Sequence, residues 1–262
     1  VTDEDIKNQI PSNNNTVFSL QKKMFSRSNL SLIILNRENT KDYDFTQFND
    51  KFNRLIGLDY NLASNDNKYV GKFYFHKSFK PDSNRDDDDE SFGGRIVRNT
   101  RNNTLELGGS FIGEDFKSDL GFVRRTDLFK VTPKYKLKFY PNRDKLIQVD
   151  LDIGMWSYYR PNDNFKNSDR TISPSINLRF KNQSNFDIRL YNRNTYLYND
   201  FDPTGLNPEN PIPAGKTYKY SSIKFNYRSN EAKKFYYEIE PEFGEFYTCL
   251  LYTSDAADEW RS

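Results

Sequence analysis

The stretch Lys145–Tyr159, KLIQVDLDIGMWSYY, decides the fold. Ile147, Val149, Leu151, Ile153 and Met155 take every second position, and Gln148, Asp150, Asp152 and Gly154 lie between them. Successive side chains of an extended chain point to opposite faces, so this spacing makes one apolar face and one wet face. At helical spacing the same residues scatter around the axis and put two carboxylates among the aliphatics. Trp156, Tyr158 and Tyr159 close the run with rings that suit a boundary between water and hydrocarbon. A strand of about ten residues with an apolar band and an aromatic end is the unit of a membrane-spanning β-barrel. A soluble sandwich strand alternates in the same way, so the rest of the chain has to separate the two.

Composition narrows the choice. Only 35% of the 262 residues are hydrophobic, 29% are charged and the mean hydropathy is -0.92, which is poor for a conventional interior of this length. Aromatic residues reach 16%, and disordered chains lack them. A barrel with a water-facing interior reconciles these figures, because it needs apolar side chains on only half of each strand. No apolar run approaches the roughly 18 residues of a membrane helix. The absence of an initiator Met and of a signal peptide leads us to expect a processed chain or a fragment. Lys and Arg are spread among carboxylates without a basic block, so nucleic acid is not an expected partner.

Outward from the deciding stretch, alternation predicts strands over 16–25, 30–36, 52–63, 69–79, 92–100, 104–113 and 128–140. It continues with 145–159, 170–180, 185–198, 218–228 and 233–247. The connections between them alternate short and long, with long ones at 37–51, 80–91, 114–127, 160–169 and 199–215. Outer-membrane barrels sort their loops in this way, with short periplasmic turns and longer outer loops, and a sandwich has no reason to. The expected fold is therefore all-β, an antiparallel up-and-down transmembrane β-barrel with about twelve strands visible and incomplete at both ends. Its domain covers residues 1–247. The run CLLYTSDAADE at Cys249–Glu259 breaks the pattern and resembles a peptide translated from sequencing-adapter DNA, so residues 248–262 are set aside as a non-native tail. That tail holds the only cysteine, and a cysteine-free remainder fits an oxidising compartment.

The alternation also sorts side chains by face. Asp59, Asn61, Glu106, Asp150, Asp152, Asn177, Arg179, Asp187 and Arg189 are expected to line the lumen, and Ile56, Leu58, Leu107, Ile147, Val149, Leu151, Ile153 and Met155 to meet lipid. The mixed signs suit a hydrated, cross-linked lumen better than an ion-selective pore. Asp86, Asp87, Asp88 and Asp89 could gather a hard cation, but they lack the alternating ligands and turn glycine of a calcium loop, and a solvated loop is the preferred reading. His76, the one histidine, has no companion ligands or nucleophile in view and reads as a wall residue. Glu114, Asp115 and Asp119 followed by Arg124 and Arg125 in one long loop could bind a sugar or an anion or act as an acid/base pair, with Glu114, Asp115 and Arg124 as the residues to test and an ion-paired brace at the mouth as the preferred reading. The pairs Gly93-Gly94 and Gly108-Gly109 sit in strands without a following helix and are no phosphate loop.

Three phrases carry a resemblance: PSNNNTVFSLQKKMFSRSNLSLIILNRENT at Pro11–Thr40, GEDFKSDLGFVRRTD at Gly113–Asp127 and PIPAGKTYKY at Pro211–Tyr220. They resemble a family of bacterial outer-membrane-type β-barrel domains of unknown function that commonly follow a family-nine carbohydrate-binding domain. The resemblance implies a Gram-negative outer membrane, lipid as the surrounding partner and an upstream binding domain; it supplies no catalytic motif and no cofactor. The leading function is a conduit or anchor associated with glycan binding or uptake, whose outer loops reach glycans or lipopolysaccharide. The alternatives are a glycan-acting hydrolase built on those loops and a soluble secreted glycan-binding β-protein.

Overall fold

The computed structural model describes residues 1–84, 87–141, 144–203 and 211–247, apart from the Asn49 side chain, together with the backbone of 249–260. The strands are β1 (Asn13–Met24), β2 (Ser28–Asn39), β3 (Phe52–Ala63), β4 (Tyr69–Phe79), β5 (Glu90–Asn99), β6 (Asn103–Ile112) and β7 (Leu128–Val131). They continue as β8 (Lys134–Phe139), β9 (Leu146–Arg160), β10 (Lys166–Phe180), β11 (Asn185–Tyr196), β12 (Thr217–Arg228), β13 (Phe235–Phe246) and β14 (Cys249–Trp260). Among the described residues they form one antiparallel sheet, thirteen of the strands following a single hydrogen-bonded order in which neighbours in sequence are joined except that β9 follows β7. β8 stands off that order and pairs β6 and β9. No α-helix interrupts it, and no helix of the described residues is long and apolar enough to cross a membrane.

Two elements differ from the sequence reading. The strand expected over 128–140 is two short ones, because Pro133 has no N–H for the ladder and only its carbonyl is used, accepting from Met155 at 2.9 Å. The long connection expected over 160–169 shrinks to 161–165, and β9 and β10 each run for 15 residues. There Asn167 Nδ2 donates to Ser157 Oγ and to the Tyr158 carbonyl, both at 3.0 Å, which holds the added rungs. Residues set aside as a tail run as β14, paired with β13 from Phe246↔Cys249 to Phe235↔Trp260.

Two compact units divide the chain: Val1–Arg98 with Gly108–Lys130 and Arg160–Phe165, and Asn99–Leu107 with Val131–Tyr159 and Lys166–Ser262. In unit 1 the register puts Arg37 opposite Asn53, and Leu55 and Gly57 opposite Ser78 and His76. In unit 2 it puts Asn177 opposite Asp187, Arg189 opposite Lys224 and Arg228 opposite Glu238.

Both units invert the usual order of burial. Along β9 the relative exposure runs 4% at Asp150, 39% at Leu151, 8% at Asp152 and 50% at Ile153. The largest side chains sealed from solvent are Ser157, Ser168 and Ser173, while Ile56, Leu58, Phe73, Phe75, Leu107, Ile176, Leu190 and Ile239 are exposed. Water-soluble proteins bury their aliphatics and keep exposed apolar patches to a few hundred Å². Most large apolar side chains of the described strands lie exposed on the face opposite the buried aspartates and serines, with Leu55, Val97 and Leu128 as buried exceptions.

Candidate functional site

On the polar face of unit 2 the alternation of β8 to β13 assembles a charge ladder around a cavity of ≈ 540 Å³. The β8–β9 register sets Lys136 directly across from Asp152. Lys136 Nζ lies 3.2 Å from Asp150 Oδ2 and Lys134 Nζ 3.4 Å from Asp152 Oδ1, while Gln148 Nε2 donates to the other Asp150 oxygen at 2.6 Å. Two carboxylates so nearly sealed from water need such partners, because an unpaired buried charge costs several kcal/mol. Farther along, Arg189 Nη2 donates to Ser175 Oγ at 3.5 Å and Arg189 Nε stands 3.7 Å from Asp187.

β12 and β13 complete the ladder. Lys224 pairs with Glu240 at 2.6 Å and Arg228 with Glu238 at 2.8 Å. Asn226 bridges Glu238, at 2.6 Å, and Glu240. Arg193 donates to Ser222 Oγ at 2.6 Å, and Ser222 donates in turn to Glu242 at 2.5 Å. The opposite face of the same strands is apolar: Leu137, Leu151, Ile153, Ile176, Ile188 and Leu190 surround a shallow groove at Pro174. Beyond the strand ends, Tyr247 packs against Tyr220 and Phe246, each at 4.9 Å, and Phe201 at 5.4 Å; burial, with Tyr220 beside it, pushes its phenol up to about 12.

Comparison with protein-family models, curated proteins and solved structures finds no match. Function therefore has to be read from the arrangement of side chains.

The residues expected to line a lumen lie as follows. Asp150 and Asp152 are buried in the ladder, and Asp59 is 8% exposed in unit 1, where it meets His76 Nε2 at 2.9 Å and Lys72 at 3.2 Å. Asn61 donates to Asn29 at 2.8 Å. Glu106, Asn177, Asp187 and Arg189 are half-buried, and Arg179 is exposed beside the 181–184 turn. Of those expected to meet lipid, Ile56, Leu58, Leu107, Ile147, Leu151 and Ile153 are exposed, and Val149 and Met155 are half-exposed.

The loop candidates lie as follows. Glu114 accepts from Asn162 Nδ2 at 2.5 Å, Asp115 pairs with Lys80 at 3.2 Å and Arg124 is exposed. Burial alone would lower the Lys80 ammonium, but the hydrogen bond to Asp115 and the fields of Asp115, Asp82 and Asp87 outweigh it and hold it above the ordinary lysine range. Asp86 lies outside the described residues. Asp87 accepts from the Asn84 N–H at 2.9 Å, the Asp88 carbonyl accepts from the Asp115 N–H at 3.0 Å, and Asp89 pairs with Lys77 at 2.7 Å. Among the described residues no group of His, Cys, Asp and Glu is placed to hold a metal ion.

Sequence reasoning missed Lys134 and Lys136, the partners of the two aspartates, and the charges of the β12–β13 hairpin. Those charges carry a signal of the same kind: Lys224, Asn226 and Arg228, then Glu238, Glu240 and Glu242, recur at every second position.

Proposed function

We propose that this chain is part of a membrane-spanning antiparallel β-barrel of a Gram-negative outer membrane, acting as a polar conduit or anchor for glycan binding or uptake. The inversion of burial is the observation that supports it most. In water the exposed aliphatics would favour collapse or association; in hydrocarbon the same band is stabilising, and the paired charges of the other face stay hydrated. Strand length agrees: 12 residues rise about 40 Å, and a tilt of about 40° brings that to about 30 Å, the thickness of a hydrocarbon core. The role we propose is passive: a closed hydrogen-bond ladder would satisfy the backbone in lipid, and Glu114 and Asp115 are already taken up by Asn162 and Lys80.

The test is extraction of the full-length protein. The expected result is release from membranes only by detergent, with a mobility on gels that changes on heating. Leu151→Arg in vesicles should cost about 2–4 kcal/mol in urea unfolding if Leu151 meets mid-bilayer lipid. A protein that leaves the membrane fraction without detergent, with Leu151→Arg near neutral, would instead point to the soluble glycan-binding reading.

A further inference from the structure

The segment Gly113–Gly121 belongs to the longest described connection of unit 1, and its backbone is bonded to the polar face of the sheet. Asn53 on β3 is 4% exposed, and its amide serves the segment twice: Nδ2 donates to the Lys117 carbonyl at 3.1 Å, and Oδ1 accepts from the Asp119 N–H at 2.9 Å. Ser78 on β4, 2% exposed, accepts from the Lys117 N–H at 3.2 Å. Both polar groups of the Lys117 peptide are thus held by side chains of adjacent strands. These side chains stand on the face that also carries Arg37, which is opposite Asn53 and lies 3.5 Å from Asp119.

Entry to the segment is fixed as well. The Gly113 N–H donates to the Glu90 carbonyl at 2.9 Å and the Asp115 N–H to the Asp88 carbonyl at 3.0 Å. A Cβ at Gly113 would overlap the Asp88 backbone, so only glycine lets the two chains approach this closely. Phe116 is buried, and Lys117 pairs with Asp50 at 2.7 Å. Asn53 and Ser78 stand at the loop-side ends of β3 and β4, nearly sealed from solvent, and a segment that merely crossed the surface would leave the Asn53 amide without these partners.

We propose that Gly113–Gly121 is a fixed constriction, latched to the polar wall by Asn53 and Ser78, that sets the size of solute able to pass the water-filled path. The inference rests on the conduit reading above, because only there is the polar face a lumen. Released from the latch, the segment would swing into water and the path would widen.

The experiment uses the full-length protein in planar bilayers and vesicles, with uncharged polyethylene glycols of graded size as probes. A second readout is maleimide labelling of Ser118→Cys in a Cys249→Ser background, with Arg124→Cys as the exposed control. The expected result is slow labelling at position 118 against fast labelling at 124. Asn53→Leu, and separately Ser78→Ala in case the first variant does not fold, should raise the labelling rate tenfold or more, conductance about twofold and the size limit for polyethylene glycol. Equal labelling at 118 and 124 in a protein that keeps heat-modifiable mobility would overturn the latch and leave the barrel standing. A protein that needs no detergent would overturn the conduit reading and the size limit with it.

Discussion

Asp150 and Asp152 in unit 2 and Asn53 and Ser78 in unit 1 are polar side chains nearly sealed from solvent in the wall of a sheet, and they are satisfied by different kinds of partner. Unit 2 uses its own neighbours: the aspartates take Lys134 and Lys136 from the adjacent strand, and Glu238 and Glu240 take Arg228 and Lys224. Unit 1 borrows backbone from a connection, the N–H and C=O of Lys117 among them. A charge ladder built from neighbouring strands is tied to the fold and persists while the strands stay paired. A wall closed by a loop can open while its strands remain, because local opening draws on the contacts of that segment alone.

The largest effect should fall on the ladder. Asp152→Leu leaves Lys134 without its ion-pair partner, and Lys136 keeps only Asp150. Because both lysines are about a third exposed, the loss is well below that of a fully buried pair, about 1–3 kcal/mol in urea unfolding. Adding Lys134→Met should recover part of it, since an apolar pair removes the stranded charge. No recovery would show that Asp152 is not acting through Lys134, and would break the unit 2 side of the comparison.

Asn53→Leu comes next, at about 1–2 kcal/mol, because the freed N–H and C=O can turn to water once the segment lifts. Its distinguishing mark is locality: amide exchange should speed up over 113–121 and not along β3 and β4. Equal acceleration along the strands would erase the contrast between the two walls.

A smaller effect tests the side-chain pairing that unit 1 has between its own strands. Gly57 lies under the His76 ring, which a Cβ there would overlap, and that ring is what meets Asp59 at 2.9 Å. Gly57→Ala should cost up to about 1 kcal/mol through the displaced ring, and the cost should vanish in a His76→Ala background. A cost that survives that background belongs to the strand and not to the His76–Asp59 pair.

Legibility in the sequence followed the same division. Alternation needs only near neighbours, so Lys145–Tyr159 and its partners announce strands, and the exposed and buried sets of β9 follow from counting by two. The ladder was half legible: the hairpin across 140–145 is visible in sequence, but which lysine meets which aspartate depends on register. The added rungs of β9 and β10 escaped because KNSD at 166–169 reads as loop, and it is the Asn167 side chain reaching back across the hairpin that keeps it in the sheet. The latch escaped altogether, since Asn53 and Lys117 are 64 positions apart and no periodicity links a strand residue to a loop carbonyl. Glu114 and Asp115 drew notice as charges, yet the loop is held chiefly through peptide groups that every sequence has.

Alkali offers the finest separation of the two units, and at neutral pH it has no effect. Tyr247 in unit 2 is held protonated by burial, with its phenol raised from 10.0 to about 12, so the folded form keeps a proton that the unfolded form has lost. Stability therefore falls as pH climbs through that interval, and Tyr247→Phe should remove the fall. Lys117 in unit 1 feels burial pulling it down, but the hydrogen bond to Asp50 and the fields of Asp119 and Asp50 raise it above the ordinary lysine value. Its contribution is complete below that value and disappears only as pH rises through the higher folded one. The aromatic cluster around Tyr247 and the latch should therefore both loosen in alkali. The two can be followed by phenolate absorbance and by labelling at Ser118→Cys after brief alkaline exposure and return to neutral pH. If position 118 opens below the ordinary lysine value, where Lys117 is still protonated, Lys117 is not what secures the segment, and the hydrogen bonds of Asn53 and Ser78 are left as its hold.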